Sequence, residues 1–415
     1  MLSGTNLQYA NSYNVRIVLE IIRLYGPVSR IDIARRTNLT AQTVTNITKN
    51  LMQEGLIFES DRKQAGRGAP SILLEINKDA AYSIGFDFDK DHLTGILVDI
   101  HGNKRQRINY DLNFPSPDEV MDLITEMVDE LIQMENIDRD LIWGVGVGFP
   151  GPLVITEGNV HFEAVNPEDL PDWDKVPVVE ILEKKLNIPV YLENNASAAA
   201  IGEKWYGSGK HLSNFFYVFF GAGLGGGLVI NGQLYSGFAG NAGEVGYIPT
   251  SVGPEVVTGQ SDSEYLGSYF NIATLIEKLR ESGAAIDSAS ELEALFDDGN
   301  PILMEWIDTA IHKLTPLVIS IEYLIDPQAI YFGGRLPDKI IRHIVDKLEE
   351  YMPNIRITRK VNIPELQLAT VGIDTAALGV ATLPLYASLS PSQRLLMKES
   401  KDKANTINSK RLRTL

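Results

Sequence analysis

The chain has 415 residues, 44% of them hydrophobic and 22% charged, with a formal net charge of −17 and no cysteine. That length leaves room for two or three domains with sizeable cores, and the lack of cysteine excludes disulfides, thiolate metal ligands and a cysteine nucleophile. The N-terminus MLSGTNLQYANSYN is polar, and no apolar run nears the roughly 20 residues of a membrane helix, so a cytoplasmic protein without membrane insertion is expected. The charge is uneven: residues 1–78 carry ten Lys/Arg against six Asp/Glu, and the remainder 27 against 48. A mildly basic head on an acidic body suggests that only the head approaches nucleic acid, because phosphates repel the body.

In the head, Val15, Val18, Leu19 and Ile22 fall at helical spacing, with Arg16, Glu20 and Arg23 expected to point away. Gly26-Pro27 ends that helix, and Ser29 caps a second one with Asp32 as its capping-box partner. After the Asn38-Leu39 turn, Thr40 caps a third helix running to about Glu54 and closed by Gly55. This is helix-turn-helix spacing. On the third helix Val44, Ile47 and Leu51 share an inward face, while Gln42, Asn46 and Lys49, with Thr40, Thr43 and Thr45 beside them, form a polar face. Amides suit adenine edges and Lys suits guanine or phosphate, so this face reads as DNA-binding; the alternative is a small helical bundle with a solvated side. Leu56-Ile57-Phe58, then RKQAGRGAPS and the strand SILLEI, read as a β-wing whose Arg62, Lys63 and Arg67 reach the DNA backbone or minor groove. SRIDIARRTNLTAQTVTNITKNLMQEGLI followed by GRGAPS resembles the winged helix-turn-helix of sugar-responsive repressors in the ROK family (repressor, open reading frame, kinase), such as its xylose and N-acetylglucosamine repressors.

The body opens with strands at Tyr82–Phe88, Leu93–Ile100 and Lys104–Leu112, then a helix over Pro115–Met134 with Val120, Leu123, Ile124, Met127 and Leu131 at helical spacing. WGVGVGFPGP is a buried strand entering a loop, and Pro189–Leu192 is a short strand ending in Glu193-Asn194-Asn195. The pattern restarts at Phe215–Phe220, where GAGLGGG (Gly221–Gly227) is expected as a tight turn before a strand Leu228–Ile230. Such glycines either bring backbone N–H groups to a phosphate or sugar, or serve close steric approach. One or two long helices over Ile302–Ile325 and the strand AIYFGG follow. Two strand–turn–strand units suggest two related α/β halves around a cleft.

The strings GVGFPGP, ENNASAAAIGE, GAGLGGGLVINGQLYSG, AGEVGY, IDPQAIYFGG and GIDTAALGVA resemble the ROK family along nearly the whole body. The resemblance implies an α/β fold: an N-terminal winged helix-turn-helix plus a two-lobed, actin-like (ribonuclease-H-like) body. The expected division is residues 1–78 for the head, 79–200 with about 372–390 for a small lobe, 201–371 for a large lobe and 391–415 for a polar tail. The family's kinases place a catalytic aspartate where this chain has Asn195, and an amide takes up no proton at neutral pH. They carry Gly-Gly-Thr where Asp89-Lys90-Asp91 stands, and Thr where Ala222 stands. Loss of kinase activity is therefore expected, with no catalytic residue. Sugar-binding positions implied by the resemblance are Asn166, Asn194, Glu244 and Glu264, whose amides and carboxylates suit vicinal hydroxyls or, in the alternative reading, cap loops and helices; Asn195 is counted beside them, and Tyr247 either meets the ligand or packs in the core.

The family's zinc motif is missing. Tyr247 replaces its His, and TSVGPEVVTGQSDSEYL has no Cys or His, so neither a metal site nor a cofactor is expected. The whole reads as a transcriptional repressor of sugar genes. Its expected partners are a pseudo-palindromic operator DNA, a sugar or sugar derivative as effector, and further copies of itself in a homodimer or homotetramer. Two alternatives stay open: a sugar kinase with a DNA-binding head, and a regulator controlled by a protein partner.

Overall fold

The computed structural model describes residues 7–63, 71–156, 159–162, 170, 172–250, 265–286, 288–356 and 362–389. The head holds α1 (Leu7–Tyr25), β1 (Val28–Ser29), α2 (Arg30–Thr37), α3 (Ala41–Gln53), β2 (Ile57–Lys63) and β3 (Ser71–Ile76). Each boundary has a local cause. Ser29 Oγ accepts from Asp32 N at α2, Asn38 takes φ 56 where that helix stops, and Thr40 accepts from Thr43 N at α3. The expected apolar faces are buried: Val15, Val18, Leu19 and Ile22 on α1, and Val44, Ile47 and Leu51 on α3. β3 pairs antiparallel with β2 and β1, making the wing.

Arg16 departs from expectation. It is buried, and its guanidinium donates to the Ala387 carbonyl at 2.6 Å. The side of α1 read as solvent-facing meets the body instead, because the last helix of the described residues packs there.

Among the described residues the body contains two five-stranded sheets. The first comprises β4 (Tyr82–Asp89), β5 (His92–Asp99), β6 (Lys104–Asp111), β7 (Ile142–Phe149) and, after the short hairpin β8 (Leu153–Thr156) and β9 (Asn159–Phe162), β10 (Val190–Asn194), in the order β6-β5-β4-β7-β10. The second comprises β11 (Phe215–Phe220), β12 (Leu224–Ile230), β13 (Gln233–Leu234), β14 (Ala329–Gly334) and β15 (Glu365–Leu368), in the order β13-β12-β11-β14-β15. Both are an antiparallel meander whose first strand then pairs in parallel with the fourth, and the fourth with the fifth. The duplication suggested by the two strand–turn–strand units is present.

Helices cover both faces of each sheet. α4 (Pro117–Glu135) and α5 (Val178–Leu186) close the outer face of the first. The outer face of the second is covered by α7 (Ile272–Glu281), α8 (Leu292–Asp297), α9 (Pro301–Ile325, a single helix with Pro316 inside) and α10 (Asp338–Ile355). Between the sheets lie α6 (Asn195–Tyr206) and α11 (Thr375–Leu389).

The glycine cluster has a different role from a phosphate turn. β12 begins at Leu224, four residues earlier than expected, and Gly221 N is satisfied by Gly223 O at 3.0 Å. Gly225, Gly226 and Gly227 therefore lie within the strand. A Cβ on Gly225 would sit 2.7 Å from Ala196 Cβ, and one on Gly227 2.5 Å from Ala200 Cβ. The bare strand lets α6 rest directly on the sheet. On the other side α11 approaches α6 as closely, since a Cβ on Gly379 would lie 1.7 Å from the Ala198 carbonyl. Packing this tight transmits displacement rather than absorbing it.

Candidate effector cleft and nucleic-acid interface

Asn194 ends β10 and caps α6: its Oδ1 accepts from Ala196 N at 2.8 Å and Ser197 N at 3.3 Å. Asn194 is thus a helix cap, yet its amide has a second use. Nδ2 donates to Glu244 Oε1 at 3.2 Å, joining the end of the first sheet to the AGEVGY segment of the second half. Asn241 makes a similar bridge, exchanging hydrogen bonds with the Leu153 backbone at 2.8 and 2.9 Å. Gly151 fits between these walls, where a Cβ would lie 2.2 Å from Asn194 Nδ2 and 2.3 Å from Glu244 Oε1. Burial pushes the Glu244 carboxyl up to about 7, and that of Glu193 up to about 7 as well.

Asn195, expected from the resemblance in the base position of the kinases, is 5% exposed. It donates through Nδ2 to the Phe88 carbonyl at 3.0 Å, leaving a buried Oδ1 without a partner among the described residues. Asp87 has the same feature at its Oδ1, and lies one strand away, paired in register with Gly148, against which Asn195 Oδ1 packs. Buried unpaired acceptors cost about 1–3 kcal/mol each, which marks this spot as built for polar contact.

The β4–β5 turn holds a charge cluster that patterns of residue type did not reveal. His92 is 1% exposed, with Nδ1 2.6 Å from Asp91 Oδ1 and Nε2 3.4 Å from Asp87 Oδ2. Burial opposes its charge, but these two contacts outweigh it and raise His92 to about 9. Arg335, just past the end of β14, lies 4.0 Å from Asp91 and so links the two halves of the duplication. Burial, with Asp91 beside it, pushes Asp89 up to about 6. The turn is thus crowded with carboxylates already matched to cations. Asp87, Glu193, Asn241 and Arg335 were missed; their only sequence signal was proximity to the GFDF, ENNAS, AGEVGY and IYFGG strings.

Tyr247 is 41% exposed, its ring edge-on to Tyr265 at 6.3 Å, so it is not a core residue. Asn166, Glu264 and Arg67 fall outside the described residues, and Arg62 and Lys63 are placed only as backbone within β2.

On α3, Thr40, Gln42, Thr45, Asn46 and Lys49 are exposed. Thr40 and Thr43 spend their hydroxyls on the cap and on each other at 2.8 Å, and Thr45 returns its own to Ala41 O. Gln42 Nε2 donates to Asn46 Oδ1 at 3.1 Å, aligning two amides on the outer face. Arg30 braces the arrangement from behind, donating to Thr48 Oγ1 and Glu59 Oε1.

Residues 83–386 match the sequence model of the ROK family, and residues 13–57 match one described as winged helix-turn-helix DNA-binding. This chain belongs to the ROK family. A xylose repressor from Bacillus subtilis (strain 168) is 32% identical over 241 residues, which make up 58% of this chain and 61% of that repressor. Among solved structures, a ROK family transcriptional regulator described as a homolog of the E. coli MLC protein superposes with a TM-score of 0.72 at 22% identity, covering 92% of this chain and 98% of its own. A ROK family glucokinase from Streptomyces griseus, solved with glucose and AMPPNP, gives 0.60 at 20% identity, covering 73% of this chain and 99% of the kinase. The body shared with ROK kinases and the head matching the winged helix-turn-helix model account for the two parts of this fold.

Glu193, at the end of β10 beside Asn194, offers a test of this region. Its carboxyl holds a proton more tightly folded than unfolded, so its contribution to stability is full below the ordinary value of 4.5 and is lost as pH rises through about 7. Glu193→Gln should therefore unfold at a higher temperature than the parent at pH 8 and at about the same temperature at pH 5. Thermal melts at the two pH values check this, and an equal offset at both would contradict the assignment.

Proposed function

We propose that this ROK protein is a DNA-binding transcriptional repressor of sugar genes, controlled by a sugar in the cleft and without kinase activity. What supports the reading is a pairing: α3 keeps an exposed amide-and-lysine face, while the residue that the family resemblance sets where phosphoryl transfer needs a proton acceptor is the amide Asn195. Residues 1–78 act as the DNA-binding unit; 79–200 with about 372–390, and 201–371, act as the two cleft lobes. Asn194, Glu244, Asn195 and Tyr247, together with Asn166 and Glu264, hold the effector. Two heads in a homodimer or homotetramer read a pseudo-palindromic operator.

The cleft favours an unphosphorylated sugar. The first amides of α6 are taken by Asn194, the β11–β12 turn bonds to itself, and Ala222 offers no hydroxyl. Asp87 and Asp91, and Asp89, Glu193 and Glu244 once ionised, would repel a phosphate, and His92 and Arg335 already face carboxylates.

The test is selection of operator DNA by the purified protein, followed by titration with xylose, glucose and N-acetylglucosamine, each beside its phosphate ester. A saturable site whose affinity shifts with a free sugar is expected, with the ester at least about tenfold weaker. ATP-dependent phosphorylation of any of these sugars would overturn the non-enzymatic part. A stable protein that binds DNA but ignores every sugar would favour control by a protein partner.

A further inference from the structure

Resting on the proposed linkage between sugar and operator, we propose that α6 is the transmission rod of this protein and Trp205 its joint to the head. The helix begins at the cleft, where Asn194 is tied to Glu244 and Asn195 to the Phe88 carbonyl. It ends about 18 Å away at Tyr206. There the Arg23 guanidinium of α1 stacks over the Trp205 ring, 4.2 Å from its centroid, while both Glu20 oxygens hold Arg23 at 2.8 Å. Trp205 in turn meets Tyr386 of α11 edge-on at 5.9 Å, and Tyr206 bonds Thr382 of the same helix at 2.8 Å. Arg16 completes the joint through the Ala387 carbonyl. One face of α1 thus rests on the far end of α6 and on the last turns of α11.

The middle of α6 has no slack. Ala196 and Ala200 rest on glycines of β12, Ala198 on Gly379 of α11, and Gly202 against the Thr375 carbonyl. A helix packed against backbone on two sides shifts as a body, so a displacement at Asn194 reaches Trp205 undiminished. The first turn of α6 senses whether Glu244 is bonded to Asn194 or to a ligand; the last turn sets where α1, and with it α3, can sit. Sugar at one end and operator at the other then share a coupling free energy that a change at the joint should erase.

The experiment measures operator affinity with and without saturating xylose, or glucose where the panel prefers it, in the parent, Trp205→Ala and Trp205→Phe. Trp205 is half-buried and lies away from the cleft, so the Ala variant should keep sugar affinity within about twofold. The parent ratio should lie in the roughly 5- to 150-fold range usual for such coupling. Trp205→Ala should bring it within about threefold of unity, and Trp205→Phe, which retains a ring beneath Arg23, should restore most of it. A Trp205→Ala protein with the full parental ratio would overturn the inference while leaving the sugar-controlled repressor intact. A parent protein with no sugar-dependent ratio would instead remove the linkage on which the inference rests.

Discussion

Changing Asn46 to Ala should weaken binding to the cognate operator by about 1–3 kcal/mol, a loss of roughly 5- to 150-fold. The side chain is exposed on α3, and its Oδ1 accepts from Gln42. A bidentate contact to adenine uses both the oxygen and the NH2 group, so Gln42 must release the oxygen and is free to read a neighbouring base. Alanine is the better helix former, so a binding loss cannot come from a weakened α3. Competition assays across single-base operator variants check the assignment. The preference at one position should relax, whereas Lys49→Ala should lower affinity for all duplexes and flatten the salt dependence by about one unit of slope. Equal losses on operator and random DNA in the Asn46 variant would mean that it reads no base.

The features legible from residue order are those with local causes. Val15, Val18, Leu19 and Ile22 declare their helix because 3.6-residue periodicity needs only neighbours, and Ser29 and Thr40 cap helices within three residues. Arg16 looked solvent-facing by the same rule, but its partner Ala387 lies 371 residues along the chain. The run Gly221–Gly227 could serve a ligand or a close steric approach, and Ala196 and Ala200, which periodicity cannot place beside it, decide for the second. The cleft followed the same division. Asn194, Asn195 and Glu244 were found through motif resemblance, because an Asn or Glu near glycine has no chemistry of its own to announce. Asn241 and Arg335, joined to residues from the other half of the duplication, needed the fold.

Glu244→Gln should weaken sugar binding by about 1.5–3 kcal/mol at pH 8, roughly 10- to 150-fold, and much less at pH 6. In the free protein burial raises its carboxyl from the ordinary 4.5 to about 7. Its contribution to stability is therefore complete at low pH and disappears as pH rises through about 7. A sugar hydroxyl donating to this oxygen prefers the ionised form, since charge-assisted hydrogen bonds are about twice as strong as neutral ones. The thermal shift produced by sugar should accordingly grow between pH 6 and 8 in the parent. In the Glu244→Gln variant the new side-chain carbonyl would turn toward the Asn194 amide, its NH2 group would face the cleft, and sugar binding would change little with pH. Glu193 titrates in the same range, so the diagnostic is the difference between parent and variant rather than the parental curve alone. Superimposable pH curves for the two proteins would remove Glu244 from the effector site.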